Sequence, residues 1–262
     1  MRTKGWLAAV ILSLPVAGST EELFSVQGAR PLSEAVTVLE RQYGWRISYE
    51  DPPYTDPADL VDHTDPSYRG PWRAIDPRGG PLEIPYSISK LTGRPTESPE
   101  RLLQMLIDDH ASRGYPGRFQ VSVIGDLYFV RPAEGSALDT PITIPTRRRT
   151  LLAALNAVLQ AVSDATGMPV KPGAGLLQSG SDPFSFGASG EPARDVLLRL
   201  FKTQKGYWFG WQMLYAPERG GYFFSIHGDR VAAEPEPRKP EVTRGAVNGP
   251  DGSRAVPQVP IP

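Results

Sequence analysis

Few residues of this chain have the type and spacing that chemistry requires. Its three histidines are His63, His110 and His227. His63 lies near Asp62 and Asp65 in a polar segment, and imidazole with carboxylate is a suitable ligand set for a divalent metal ion. No second histidine follows at the spacing of a metal motif, so we predict that no metal is bound there.

The other candidate groups also lack a catalytic arrangement. The run Asp108-Asp109-His110 is interpreted as the solvated end of a helix, where the helix dipole favours a protonated imidazole. The Gly-x-Ser-x-Gly pattern of serine hydrolases does not occur at Gly180-Ser181 or at Gly187-Ala188-Ser189-Gly190. Acidic pairs such as Glu21-Glu22 are adjacent in sequence, so they do not face each other across a cleft as glycosidase carboxylates do. We therefore predict no catalytic residue and no cofactor.

The segment from residue 51 to residue 80 is the strongest candidate for a binding surface. It is rich in Pro, Asp, Tyr and Gly and lacks periodicity, and loops of this length are commonly functional or mobile. Tyr54, Tyr68 and Trp72 lie in this loop outside any periodic element. Rigid amphipathic rings are favoured where peptides or polymers are held, so we predict that these three residues contact a partner.

The composition excludes several classes of function. The chain has 262 residues, no cysteine, and 28 Lys and Arg against 29 Asp and Glu. The absence of cysteine excludes disulfides, cysteine nucleophiles and thiolate metal sites. The balanced charge argues against nucleic acid as a partner, because nucleic-acid binding needs a concentrated basic surface. The basic run Arg147-Arg148-Arg149 is interpreted as a solvated edge, with a contact to phosphate or to an acidic partner as the alternative.

Residues 1–18 have the pattern of a cleavable signal peptide. Arg2 and Lys4 precede an apolar stretch over residues 6–16, and small residues follow it. The stretch is shorter than the roughly 20 residues that span a bilayer. Export without cysteine is typical of the bacterial periplasm. We expect an exported protein in the periplasm of a Gram-negative bacterium, with no transmembrane span in the mature chain.

The elements that must position these residues occur in the same order twice, at residues 24–130 and 142–226. The order is an alternating strand, an amphipathic helix ending at glycine, a second strand, a second helix and a β-hairpin. Such a repeat indicates duplication. We predict an α+β fold of two tandem small βαβ-αββ-type domains, with amphipathic helices on short mixed sheets.

Local signals set the bounds of these elements. Gly44 and Gly167 end the first helix of each copy, and Ser98 and Thr150 cap helix starts. The alternation over residues 45–50 predicts a half-buried strand. The predicted organisation is a first domain at 23–132 with its long loop at 51–80, a linker at 133–140, a second domain at 141–230, and a disordered Pro-rich tail at 231–262.

The first copy resembles a known family at FSVQGARPLSEAVTVLERQYGWRISYED, residues 24–51. The order of strand, helix, glycine and strand is similar to that of the secretin and TonB short N-terminal (STN) domain. The run Ser98-Pro99-Glu100-Arg101-Leu102-Leu103-Gln104-Met105-Leu106 and the hairpin turn Gly125-Asp126 continue it. The resemblance covers residues 23–132 and, more loosely, 141–228. It implies a small domain for protein–protein contact in the periplasm, without enzymatic activity.

The sequence therefore predicts an exported, non-enzymatic protein-binding or assembly module of the bacterial envelope, with envelope proteins as partners. The expected mode of binding is a partner strand that extends an exposed strand edge. The alternative is an enzyme that acts on envelope polymers, with Asp62, His63 and the 51–80 loop as its site. A purely structural module without a small ligand is a third interpretation.

Overall fold

The computed structural model describes residues 18–70, 73–173, 182–204 and 207–230, which belong to one compact unit. Nearly all of the predicted signal peptide, the predicted tail and Trp72 lie outside these residues. Across the described ranges, no helix combines the length and the apolarity needed to cross a membrane. The elements in chain order are β1 (Ser19–Gly28), α1 (Pro31–Tyr43), β2 (Arg46–Glu50), β3 (Leu60–Asp62), β4 (Ile75–Pro77), β5 (Gly80–Ser89), α2 (Pro99–Ser112), β6 (Phe119–Ile124), β7 (Leu127–Pro132), β8 (Pro141–Arg149), α3 (Leu151–Thr166), β9 (Val170–Pro172), β10 (Phe184–Pro192), α4 (Ala193–Lys202), β11 (Tyr207–Ala216) and β12 (Gly221–Arg230).

The fold is α+β, as predicted, and one pairing pattern occurs in both halves. In the first half, residues 18–132, β1 pairs antiparallel with β5, β6 pairs antiparallel with β7, and β2 lies parallel to β7. In the second half, residues 141–230, β8 and β10, β11 and β12, and β9 and β12 pair in the same three ways. The β1–β5 and β8–β10 pairs are called the ribbons of the two halves.

The halves share a six-stranded sheet of order β6-β7-β2-β11-β12-β9. It is continuous because β2 of the first half lies parallel to β11 of the second, with Tyr49 opposite Gln212. The prediction that residues 45–50 form a half-buried strand is therefore wrong in its burial, because β2 is covered on both faces. Ile47 and Tyr49 are buried on one face of the sheet, and Ser48 and Glu50 are buried on the other. A central strand is covered on both faces, which alternation within the strand does not reveal.

The two helix pairs lie on opposite faces of this sheet. Successive residues of a strand point to opposite faces. In β7, Val130 belongs to the hydrophobic core around α1 and α2, whereas Phe129 belongs to the core around α3 and α4. Each helix pair also contacts the ribbon of its own half. Each half is thus a stack of ribbon, helices and sheet, and the two stacks point in opposite directions.

The helix ends follow the signals in the sequence. Gly44 and Gly167 adopt the left-handed backbone, with φ of 68° and 72°, and end α1 and α3. The hydroxyl groups of Ser98 and Thr150 accept hydrogen bonds from backbone N–H groups in the first turns of α2 and α3. These predicted helix ends are confirmed, because each signal acts within a few residues.

Two segments contain structure that the sequence did not indicate. In the 51–80 loop, β3 and β4 form a short antiparallel pair. In the predicted linker at 133–140, a turn of 3₁₀-helix capped by Ser136 buries Leu138 in the core of the second half. Strands and turns of three residues are too short to produce a periodic pattern.

Candidate binding site at the strand edges

The strand edges decide whether a partner strand can be added. An edge strand presents backbone N–H and C=O groups that can pair with another chain, unless side chains, prolines or bulges close it. The shared sheet ends at β6 and β9, and each ribbon has two edges. The two halves treat these edges differently.

The outer edge of β5 is closed. Pro81 and Pro85 have no N–H group to offer. The other outward N–H groups already have partners: that of Glu83 donates to Asp109 (2.9 Å), that of Ser87 to Glu97 (3.3 Å), and that of Ser89 to the carbonyl of Arg94 (2.9 Å). The carbonyl of Ser87 also accepts from the N–H of Thr96 (2.8 Å).

The outer edge of β1 is open. Leu23 lies opposite Pro85, so the odd-numbered residues of β1 face the odd-numbered residues of β5. Because the odd-numbered groups of β5 point outward, those of β1 point outward on the other side. The side chain of Leu23 is 65% exposed, and neither proline nor bulge interrupts the strand. Four outward residues have backbone groups without a hydrogen-bond partner in the described ranges: Glu21, Leu23, Ser25 and Gln27.

The edge strand β6 is open as well. The N–H of Ala133 donates to the carbonyl of Arg118 (2.8 Å), so even-numbered residues of this strand pair with β7 and odd-numbered residues point outward. Val123 and Ile124 are 40% and 41% exposed at its end. Three residues have outward backbone groups that no other described residue pairs: Phe119, Val121 and Val123.

Two edges of the second half, those of β9 and β10, are closed. On β9, the N–H of Val170 donates to the hydroxyl oxygen of Ser163 (2.8 Å), and Pro172 ends the strand. On β10, the guanidinium group of Arg199 donates twice to the carbonyl of Gly187 (3.1 Å each). The ladder between β8 and β10 also contains two register shifts, which are typical of bulges.

The first strand of the second half, β8, differs most clearly from its counterpart β1. The N–H of Ala193 donates to the carbonyl of Thr140, so odd-numbered residues at the start of β8 point outward. Pro141 occupies one of these outward positions and lacks an N–H, and Pro145, which also lacks one, lies at a register shift of the ladder. Arg149 donates to the carbonyl of Pro145 (3.0 Å). Part of the basic run is therefore used to cap the backbone.

Two buried carboxylates join the halves at the end of β2. Glu50 forms a buried ion pair with Arg194 of α4 and accepts a hydrogen bond from the indole of Trp211 (2.9 Å). Arg194 also contacts Asp139 (3.0 Å). Burial alone raises the pKa of Asp139, but the N–H of Ser136 and the charge of Arg194 outweigh it and lower that pKa.

Asp51 forms the second part of this junction. Its carboxylate accepts hydrogen bonds from the side chains of Tyr49 (2.7 Å), Tyr54 (3.0 Å) and Arg30 (2.8 Å). It also accepts one from the N–H of Tyr215 (3.0 Å) on β11. Burial and the charge of Asp51 raise the pKa values of both buried tyrosines. Both carboxylates are fully buried and engaged, so they hold the sheet together and present no group to a ligand.

The three residues predicted to contact a partner do not share one surface. Tyr54 is buried in the junction, where it donates to Asp51, and is a core residue rather than a surface contact. Tyr68 is 46% exposed in the loop. Trp72 lies outside the described residues. The sequence did not indicate which strands have free edges. The edges of β1 and β6 are free because of the strand register and because no residue distant in sequence pairs with their outward backbone groups in the described ranges.

The histidines also differ from their interpretation. His110 is buried against the rings of Tyr115 and Phe119, and burial lowers its pKa to about 4. It is therefore not a solvated helix end, because α2 packs that turn against β6. Asp62 forms an ion pair with Arg73 beside His63. Among the described residues, no group of three or more His, Asp or Glu could hold a metal ion.

No protein-family model, curated protein or solved structure matches this chain. The resemblance of residues 23–132 to the STN domain therefore stays a prediction.

Proposed function

We propose that this chain is an exported, non-enzymatic module of the bacterial envelope that binds another envelope protein by strand addition along β1. One observation carries the proposal. The outer edge of β1 is free over most of its length, whereas β8, the strand at the same place in the second half, has one proline at an outward position and a second proline at a register shift. Proteins generally close a long edge strand, so an open one calls for a partner.

The free edge offers both affinity and selectivity. In strand addition the backbone hydrogen bonds supply much of the affinity, and alternating side chains supply the specificity. A partner strand beside β1 pairs with Glu21, Leu23 and Ser25. We expect an apolar residue of the partner beside Leu23, which is largely exposed, and a basic residue beside Glu21, because opposite charges stabilise a cross-strand pair.

The cellular part of the proposal rests on the sequence. The signal pattern of residues 1–18, the lack of cysteine and the resemblance to the STN domain support export to the periplasm and a partner in the envelope. Two copies of an STN-like domain, of which only the first has a first strand with a free edge, fit a role in assembly.

The enzyme alternative has less support. Asp62 is held by Arg73 and also accepts a hydrogen bond from the N–H of Thr64 (2.9 Å). Glu50 and Asp51 are buried at the junction with all of their oxygens engaged. A general acid or base must reach the substrate within hydrogen-bond distance, which these buried carboxylates do not do.

The test uses a pair of substitutions at one position of β1. Leu23→Pro removes the outward N–H together with the leucine side chain, and Leu23→Ala removes the side chain beyond Cβ but keeps the N–H. A photo-cross-linking residue at position 25, in the native host, captures the partner that lies against this edge. We expect Leu23→Pro to abolish the cross-link and Leu23→Ala to weaken it. An undiminished cross-link in Leu23→Pro, with the fold intact by circular dichroism, would rule out strand addition at β1.

A further inference from the structure

We infer that β6 is a self-pairing edge: it lies antiparallel to β6 of a second copy of this chain and joins two six-stranded sheets across a twofold axis. This inference concerns a different edge from the proposed function and does not depend on it. It follows from the direction of the free backbone groups and from the order of side chains along the strand.

The free groups fix which registers are allowed. Because the odd-numbered residues of β6 point outward, odd-numbered residues of one copy must pair with odd-numbered residues of the other. Two registers overlap over five residues, with the twofold axis at Val121 or at Ser122, and the axis at Ser122 would place the amide of Gln120 opposite the apolar Ile124. The axis at Val121 avoids this mismatch. Val121 then lies opposite its own counterpart, Phe119 lies opposite Val123 of the second copy, and Gln120 lies opposite Ser122 of the second copy.

The strand is complementary to itself in this register. Phe119, Gln120, Val121, Ser122 and Val123 alternate apolar and neutral polar in either direction. Over these five residues every apolar side chain meets an apolar one, every polar side chain meets a neutral polar one, and no charge is involved. At the end of the strand Ile124 lies opposite Arg118 of the second copy, whose side chain is largely exposed to solvent. Pairs of aromatic and β-branched residues are among those that stabilise neighbouring strands.

The open edge β1 lacks this property. The equivalent axis at Leu23 places Glu22 opposite Phe24 of a second copy. Phe24 is buried in the core of the first half, so an ionised carboxylate would be brought beside an apolar contact. The two open edges thus differ in the partner that they accept: β6 accepts a copy of itself, and β1 favours a different strand.

A dimer formed in this way is closed. Pairing through one twofold axis uses the same surface of both copies and leaves no further β6 edge free. The other end of the shared sheet, β9, is closed by Ser163 and by Pro172. Val123 and Ile124, which are exposed in the single chain, lie at this contact, so the dimer would bury part of their apolar surface.

The absence of cysteine allows a direct test. In an antiparallel pair, opposite Cα atoms of a hydrogen-bonded pair lie about 5.5 Å apart, which is within the range of a disulfide. The full chain with Val121→Cys is oxidised under mild conditions and compared with Leu91→Cys, a largely exposed position in the turn after β5 and outside β6. We expect the Val121→Cys dimer to form at least about tenfold faster, because pairing raises the effective concentration of the thiols.

A second pair of variants measures assembly without oxidation. Val123→Pro removes an outward N–H that is not part of the β6–β7 ladder, and Val123→Lys leaves the backbone intact but places a charge opposite Phe119 of the second copy. We expect a dimer for the wild type and monomers for both variants by analytical ultracentrifugation, with unchanged circular dichroism.

Two results would overturn the inference. One is a wild-type chain that stays monomeric at concentrations up to about the millimolar range, where weak pairs with free energies near −4 kcal/mol associate. The other is a Val121→Cys chain that forms a disulfide no faster than Leu91→Cys. A monomeric Val123→Pro chain that still gives the β1 cross-link separates this inference from the proposed function.

Discussion

The two halves of the molecule share a strand-pairing pattern but differ in which strand edges have free backbone groups. The first half leaves β1 and β6 open, whereas the second half closes β8, β9 and β10 with prolines, bulges and a few side chains such as Ser163 and Arg199. Both halves have the same strand pairing, so single residues, and not the topology, decide whether a strand edge is open. Among the described residues, the first half therefore presents free strand edges where the second half does not.

The largest expected effect comes from the junction that makes the halves one unit. Arg194→Met removes the main partner of Glu50 and leaves its buried carboxylate with Trp211 alone. Breaking a buried ion pair from one side costs about 3–5 kcal/mol, which urea unfolding measures.

Arg199→Met is the matched control for this substitution. Arg199 pairs with Glu191 in an exposed ion pair, and such pairs contribute about 0–1 kcal/mol. We expect both halves of the Arg194→Met variant to unfold at the same lowered urea concentration. A first half that keeps its wild-type midpoint would show that the halves are energetically independent.

The second effect is a pH dependence of the free energy of unfolding that arises in the first half, where His110 is buried. Its pKa falls from 6.5 in the unfolded chain to about 4 in the folded chain. Between these values the unfolded chain binds more protons, so stability is full above pH 6.5 and is lost as pH falls towards 4. The loss is about 3 kcal/mol from the shift in pKa.

The measurement is urea unfolding at pH 7.5, 5.5 and 4.5 for the wild type and for His110→Phe. We expect the Phe variant to lose most of the pH dependence in this window, because it has no imidazole to protonate. An equal pH dependence in both proteins would assign the effect to other groups.

The third effect frees one backbone group on a closed edge. Ser163→Ala removes the hydroxyl that accepts the N–H of Val170, whereas Pro172 still closes the end of β9. We expect a loss of about 1 kcal/mol, typical of one hydrogen bond, and faster exchange of the Val170 amide by NMR. Ser112→Ala, at the exposed end of α2, is the control because its hydroxyl bonds only to the carbonyl of Asp109.

The smallest effect comes from closing an open edge. Leu23→Pro in β1 removes an N–H that has no partner in the described structure, and edge strands tolerate proline at such positions. We expect the free energy of unfolding to change by less than about 1 kcal/mol, well below the cost of about 3 kcal/mol of a proline that breaks a hydrogen bond. Phe24→Pro, one residue on, removes an N–H that points to β5, and a similarly small loss there would contradict the assigned direction of the backbone.

The sequence predicted what depends on neighbours along the chain. The α+β class and the helix ends at Gly44, Ser98, Thr150 and Gly167 follow from signals that act over a few residues. The prolines at 141 and 145 are also visible in the sequence, and they already distinguish β8 from β1.

The sequence could not predict contacts between the halves. Glu50 has the pattern of a solvated strand residue, yet its partners Arg194 and Trp211 lie 144 and 161 positions away. Tyr54 is buried for the same reason, since its neighbour Tyr215 belongs to the other half. Long-range pairing therefore decided both the burial of these residues and the freedom of the strand edges.

The join between β2 and β11 is a head-to-tail contact, because it brings together strands that hold different places in their halves. Within the repeat, β2 corresponds to β9 and β11 corresponds to β6. The same contact made between molecules would set β9 of one chain beside β6 of the next and would continue without end as a fibre. The short, proline-bounded β9 acts as a terminating cap, which limits a duplicated architecture to two units.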